Sequence, residues 1–173
     1  MKTILLLRHA KSDWGDPGMA DRDRPLNQRG QRAAVTMARH IAAKAPPPEL
    51  ILCSTATRTR QTLAALLEAL SPQPPVSLEA GLYLAPAVTL LGRLGQLSSD
   101  VGTVLLIGHN DGIWELAAAL AGRGKPTLQA SLRQKYPTGS LAILNAPIDA
   151  WTDLRVGAAE LAAFVRPRDL ADE

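Results

Sequence analysis

The chain has 173 residues, 46% of them apolar, which is enough to build a compact domain with a real core and excludes a disordered polypeptide. Nineteen basic residues face sixteen acidic ones and no basic run concentrates the surplus. With only three Trp, two Tyr and one Phe to stack on bases, nucleic acid is not an expected partner. The single cysteine, Cys53, excludes an internal disulfide framework and a cysteine-rich zinc site, and fits a reducing cytoplasm.

In chain order, the first apolar run is Ile4–Leu7. It stops at Arg8 with no cleavage site after it, so it reads as a buried strand and not as a secretion signal. No apolar stretch reaches the ~18 residues that crossing a bilayer requires, so no membrane association is expected. Asn27 can cap a helix running to about Lys44, with Ala34, Met37, Ala38 and Ile41 on one face, ended by Pro46-Pro47-Pro48. A second strand, Leu50–Cys53, leads into a helix capped by Ser54 or Thr55 that carries Leu63, Leu66, Leu67 and Leu70 and stops before Pro72. Pro86 begins a helix with Leu90, Leu91 and Leu94. The strand Val104–Ile107 follows, then a helix capped by Asn110 or Asp111 with Ile113, Leu116 and Leu120, ending near Gly122. Ser140–Leu144 and Ala159–Val165 read as later strands. There is no internal repeat and no domain boundary, so residues 1–173 are expected to form one α/β domain. The expected architecture has three layers, a mostly parallel sheet flanked by helices on both faces.

In such a sheet, ligands bind beyond the carboxyl ends of the strands. Arg8 and His9 follow the first run, Ser54 and then Arg58 the second, and Gly108-His109-Asn110 the third. Two histidines and two arginines therefore leave one edge if the strands are parallel. A neutral imidazole is a nucleophile near neutral pH, and guanidinium groups match phosphoryl oxygens in a bidentate way. Arginines, a second histidine and a helix N-terminus suffice to stabilise a transferring phosphoryl group, and neither a metal nor a cofactor is expected. Arg60, His40, Lys11 and Asp13 read as solvated. Cys53 ends an apolar run, and Arg58 lies five positions on, one short of the spacing of cysteine phosphatases.

Leu7-Arg8-His9-Ala10 resembles the Arg-His-Gly signature of the histidine phosphatase superfamily. Ser54, Arg58 and Thr62 resemble its Ser-x-x-x-Arg-x-x-x-Thr segment, and Gly108-His109-Asn110 its second histidine motif. The chain resembles SixA-like phosphohistidine phosphatases more closely still. The shared stretches are Arg8–Trp14, Asp23–Gly30, Cys53–Thr62 and Phe164–Arg168, so the similarity covers nearly the whole chain. The resemblance implies that His9 takes up a phosphoryl group, that water releases phosphate, and that Arg8, Arg58 and His109 hold the transferred group. It adds Arg24, Ser12 and Asn110 as contacts to the substrate. The mutases' asparagine near the phosphate is replaced by Gly15.

The glutamate that donates a proton in longer relatives does not map onto Glu79–Tyr83, so the acid is Asp111, Glu79 or none. A phosphorus–nitrogen bond tolerates the last, because imidazole leaves more easily than an alkoxide. The resemblance thus implies a phosphorylated substrate, foremost a histidine-phosphorylated protein. The alternatives are a phosphatase of small phosphate monoesters and a phosphoprotein-binding module without turnover.

Overall fold

Alternation along each apolar run decides which face of the sheet its side chains enter. In the computed structural model, which describes residues 1–171, Ile4 and Leu6 of β1 (Lys2–Arg8) join one buried cluster and Leu5 and Leu7 the other. The same split divides Leu52 from Ile51 and Cys53 in β2 (Leu50–Ser54). It also divides Val104 and Leu106 from Leu105 and Ile107 in β4 (Thr103–Gly108). These strands are buried on both faces, which explains why their sequences are apolar throughout rather than alternating.

Among the described residues the sheet has seven strands in the order β3-β2-β4-β1-β6-β7-β5, where β3 is Val76–Glu79, β5 Ala121–Gly124, β6 Leu141–Ala146 and β7 Ala159–Val165. Only β6 runs against the others: it pairs antiparallel with both β1 and β7, and the remaining pairs are parallel. The register sets Arg8 opposite Gly108 and Cys53 opposite Ile107. The three strands that precede the motif residues therefore end level with one another.

Helices cover both faces. α1 (Gln28–Lys44) and α2 (Thr57–Ala69) put Met37, Ala38, Ile41, Leu63 and Leu66 into one cluster. α3 (Ala87–Leu94), α4 (Gly112–Leu120) and α5 (Pro126–Gln134) put Leu90, Leu94, Ile113, Leu116 and Leu132 into the other. The expected cap of α1 is present: the Asn27 side chain accepts from Gly30 N–H at 2.7 Å. Gly30 also lets α1 approach the loop after β1, because a Cβ there would stand 2.0 Å from the Lys11 carbonyl oxygen.

One expected cap is corrected and another is met in position only. The N-cap of α2 is Ala56, not Ser54 or Thr55, and no side chain caps it. Asp111 holds the N-cap of α4 but makes no capping hydrogen bond, and the Asn110 side chain bonds elsewhere. Pro86 is the N-cap of α3, one residue before the helix proper. Among the described residues no helix is long and apolar enough to cross a membrane.

Candidate active site

The level strand ends bring the motif residues together around a cavity of about 340 Å³, lined among others by Arg8, His9, Ser12, Arg58 and His109. The two imidazoles sit with ring centroids 5.3 Å apart, and both are nearly closed to solvent. Nδ1 of His9 lies 2.6 Å from the carbonyl oxygen of Ala10. A carbonyl can only accept, so Nδ1 carries the proton and Nε2 keeps its lone pair.

The loop bearing His9 is fixed from two sides. Ala10 N–H donates to Thr62 Oγ1 at 3.1 Å, and that hydroxyl donates to the Arg58 carbonyl at 2.8 Å. Gly139 N–H reaches the carbonyls of Arg8 (3.1 Å) and His9 (2.9 Å) from a φ of +76° that favours glycine.

Burial dominates the electrostatics. It pushes the His9 imidazole down to about 3, assisted by the charges of Arg8 and Arg58 and opposed by the Ala10 hydrogen bond. His109 falls to about 4, again through burial first and then Arg58. Both rings are therefore neutral at pH 7. Ser54 Oγ lies 2.8 Å from His109 Nε2, which is the use to which the residue expected as a helix cap is put.

The arginines are only partly satisfied. Arg8 donates from Nη1 to the Tyr136 carbonyl at 2.9 Å, and Arg58 gives both terminal nitrogens to Asp21, at 2.7 and 3.0 Å. The Nε atoms of Arg8 and Arg58, and Nδ1 of His109, are buried without a partner. Buried polar atoms are almost always paired, so this grouping marks a place built for an anion.

Asp21 organises the arginines. Its Oδ1 accepts from Arg24 Nη2 at 2.9 Å, and its Oδ2 accepts from Arg58 and from the Tyr83 hydroxyl. The Tyr83 hydrogen bond comes first among the contacts that hold this carboxyl well below the usual carboxylate range, with Arg24 and Arg58 adding to it. The Tyr83 ring stands edge-on to His109, with centroids 5.3 Å apart.

All seven residues singled out in the sequence line the cavity: Arg8, His9, Ser12, Arg24, Arg58, His109 and Asn110. Two of them are more occupied than expected. Arg24 is spent on Asp21 and on Ser12 Oγ (2.9 Å) and lies 3.3 Å from the centre of the Trp14 ring. Asn110 donates to the same Tyr136 carbonyl as Arg8, at 3.1 Å.

Neither candidate acid lines the cavity. The Glu79 carboxylate is gripped by Arg93 at 2.8 and 2.9 Å and lowered by it, and Asp111 stands exposed at the start of α4. Cys53 is fully buried in the face under α1 and α2, and burial lifts its thiol to about 12. A thiol in that state is no nucleophile. Arg60 is exposed, as expected.

Sequence reasoning missed Asp21, Tyr83 and Tyr136. A signal existed for Asp21, three residues before Arg24 in a tight turn, where an ion pair can form. Among the described residues no cluster of His, Cys, Asp and Glu is arranged to hold a metal.

Two neutral imidazoles beside buried guanidinium groups at the carboxyl edge of the sheet could receive a phosphoryl group, and the family follows from comparison. The model of the histidine phosphatase superfamily (branch 1) matches residues 4–83. An uncharacterized protein of Mycobacterium tuberculosis is 36% identical over 164 residues, covering 94% of this chain and all of that one. The candidate phosphohistidine phosphatase SixA of Agrobacterium tumefaciens superimposes with a TM-score of 0.81 at 32% identity, covering 96% of this chain and 98% of its own. Its counterpart from Nakamurella multipartitia gives 0.83 at 30% identity, over 96% of each chain. The chain belongs to the histidine phosphatase superfamily. Within it, its structural neighbours include these SixA proteins.

Proposed function

We propose that the chain is a phosphatase that works through a phosphohistidine intermediate and acts on histidine-phosphorylated protein. The Nε2 lone pair of His9 attacks phosphorus. A bond from Nε2 to phosphorus forms as the bond from phosphorus to the leaving nitrogen breaks, and the substrate imidazole, already protonated on its other ring nitrogen, departs neutral with the electron pair of the broken bond. Water then adds its oxygen to phosphorus, the bond to Nε2 breaks, and inorganic phosphate leaves. The observation that carries this reading is the set of three unpartnered buried nitrogens, Arg8 Nε, Arg58 Nε and His109 Nδ1, in the residues around a His9 whose Nε2 is free. Phosphoryl oxygens would satisfy them, and charge spread over those oxygens in transfer is what such donors stabilise. A Ser54 hydroxyl that donates to His109 Nε2 would place the proton of that ring on Nδ1, where it would become a third donor.

The preference for a phosphorus–nitrogen bond rests on the acid. Asp21 is the only carboxylate among the described residues lining the cavity, and its contacts keep it ionised. A site without a proton donor suits a leaving group that departs without one. The SixA relatives are named as candidate phosphohistidine phosphatases, which supports the same choice. The chain is taken to act as one domain in the cytoplasm. One sheet takes in strands from Lys2 to Val165, and Cys53 lies buried as a free thiol.

The test compares hydrolysis of a histidine-phosphorylated peptide with that of a serine-phosphorylated one. Faster turnover of the former is expected. A clear preference for the serine ester would move the reading to small monoesters. Phosphopeptide binding with no turnover of any phosphate would leave only a binding module.

A further inference from the structure

The fold concentrates positive charge that the sequence scatters. Arg8, Lys11 and Thr138 line both the histidine cavity and a larger one of about 780 Å³. That larger cavity collects Arg29 from α1, Lys135 from the end of α5, and Arg166 and Arg168 from the chain after β7. It shares Arg29, Ala33, Pro167 and Arg168 with a third cavity of about 640 Å³, to which α1 adds Arg32, Arg39 and Lys44. The three form one continuous trough leading away from His9.

Among the described residues no carboxylate lines the second or third cavity. Arg166 is paired with Asp169 beside the trough at 2.9 Å, whereas the exposed cations Lys11, Arg29, Arg32, Arg39, Lys135 and Arg168 have no ion-pair partner among them. The α1 stretch alone, from Arg29 to Lys44, extends the trough by about 22 Å, too far for a small substrate to span from the histidine cavity.

We infer that this trough is the docking surface for an acidic protein surface that carries the phosphoryl group to His9, an inference that rests on the reading above. Unpaired, exposed cations contribute little to folding but steer an oppositely charged partner and fix its register. A nucleic acid fits less well. Among the described residues no Trp, Tyr or Phe lines these two cavities and His40 is the one ring that could stack a base, while a phosphodiester backbone presents no transferable phosphoryl group.

The experiment uses a Glu-rich peptide with a central histidine, a Lys-rich counterpart, and an aryl phosphate. Both peptides are phosphorylated with phosphoramidate for turnover and left unphosphorylated for binding by fluorescence anisotropy. The Glu-rich peptide should bind, lose affinity as salt rises, and be dephosphorylated with the lower KM.

In the triple variant Arg32→Glu/Arg39→Glu/Arg168→Glu, KM for that peptide should rise on the order of tenfold or more, with aryl phosphate hydrolysis kept within about twofold. The corresponding triple Gln variant, which avoids introducing negative charge, should show a smaller rise in the same direction. Equal losses on peptide and aryl phosphate, indifference of the peptide to the substitutions, or tighter binding of duplex DNA or of phosphatidylglycerol vesicles than of the Glu-rich peptide would each overturn the inference. Failure of the phosphatase reading would show separately, as no aryl phosphate turnover by the wild type, and the anisotropy measurement would still decide the trough.

Discussion

In the histidine cavity two arginines, Arg24 and Arg58, are buried and held. Arg58 is 3% exposed and gives two donors to Asp21, and Arg24 is locked between Asp21 and Ser12. In the trough beside it, Arg29, Arg32 and Arg39 stand in solvent with no carboxylate partner among the described residues. Buried charge is costly and persists only where its geometry is fixed, so it suits a reaction that needs donors at set positions. Exposed charge is cheap, mobile and screened by salt, so it suits recognition of a partner. The two regions should accordingly respond to different perturbations.

The largest expected effect belongs to His9. On the proposed mechanism His9→Ala should lower aryl phosphate hydrolysis by at least about 10³-fold, because the other imidazole of the cavity, His109, serves there to hold the transferred group and not to attack it. Near-normal turnover in that variant would show that the nucleophile is another group.

Asp21→Asn should come next. The carboxylate orients two arginines and Tyr83, and loss of a charge-assisted bond to a buried guanidinium is worth about 1.5–3 kcal/mol, or roughly ten- to a hundredfold in rate if it all falls on the transition state. The loss should appear mainly in kcat/KM, with the fold intact by circular dichroism. Wild-type kinetics would remove Asp21 from the positioning of Arg58.

Acid should weaken the fold through the same cavity. Both imidazoles have folded values, about 3 and about 4, below the ordinary histidine value. Their contribution is complete above about pH 6.5 and is lost as pH falls toward the folded values, since only the unfolded chain takes up the protons. Between pH 7 and pH 5 the loss should reach at most about 2 kcal/mol per imidazole. Denaturant midpoints of the wild type and of His109→Asn at the two pH values measure it, and the variant should lose less. The acid limb of kcat/KM should also fall below the ordinary imidazole value, because that limb reports the free enzyme.

How much of this was legible in the sequence depends on whether the signal was local. The strands β1, β2 and β4 were visible because burial on both faces makes them apolar throughout, and Ala159–Val165 was found with its bounds. β3 was missed because it is a short edge strand with alternating exposure, and β5, Ala-Gly-Arg-Gly, has no residue that favours a strand. α5 offered Pro126 at its first turn but only Leu128 and Leu132 as an apolar face. Arg8, His9, Arg58 and His109 could be placed because each follows the end of a visible strand. Asp21 shares its loop with Asp13, Asp16 and Asp23, and nothing local says which carboxylate meets Arg58. The trough was invisible for the same reason: its cations come from four separate segments.

The smallest effect should come from the trough taken one charge at a time. Arg39 is exposed on α1, lines only the cavity farthest from His9, and has no carboxylate partner among the described residues. Gln retains the helix propensity of Arg, so Arg39→Gln should leave thermal stability nearly unchanged. Aryl phosphate hydrolysis should stay within about twofold, since a screened charge beyond a Debye length of about 8 Å adds little to the reacting group. Turnover of an acidic phosphohistidine peptide at low salt should fall by a small factor that vanishes at high salt. A loss that persists at high salt, or that appears equally with the aryl phosphate, would mean that Arg39 acts on the histidine cavity itself and that the two regions are not separate.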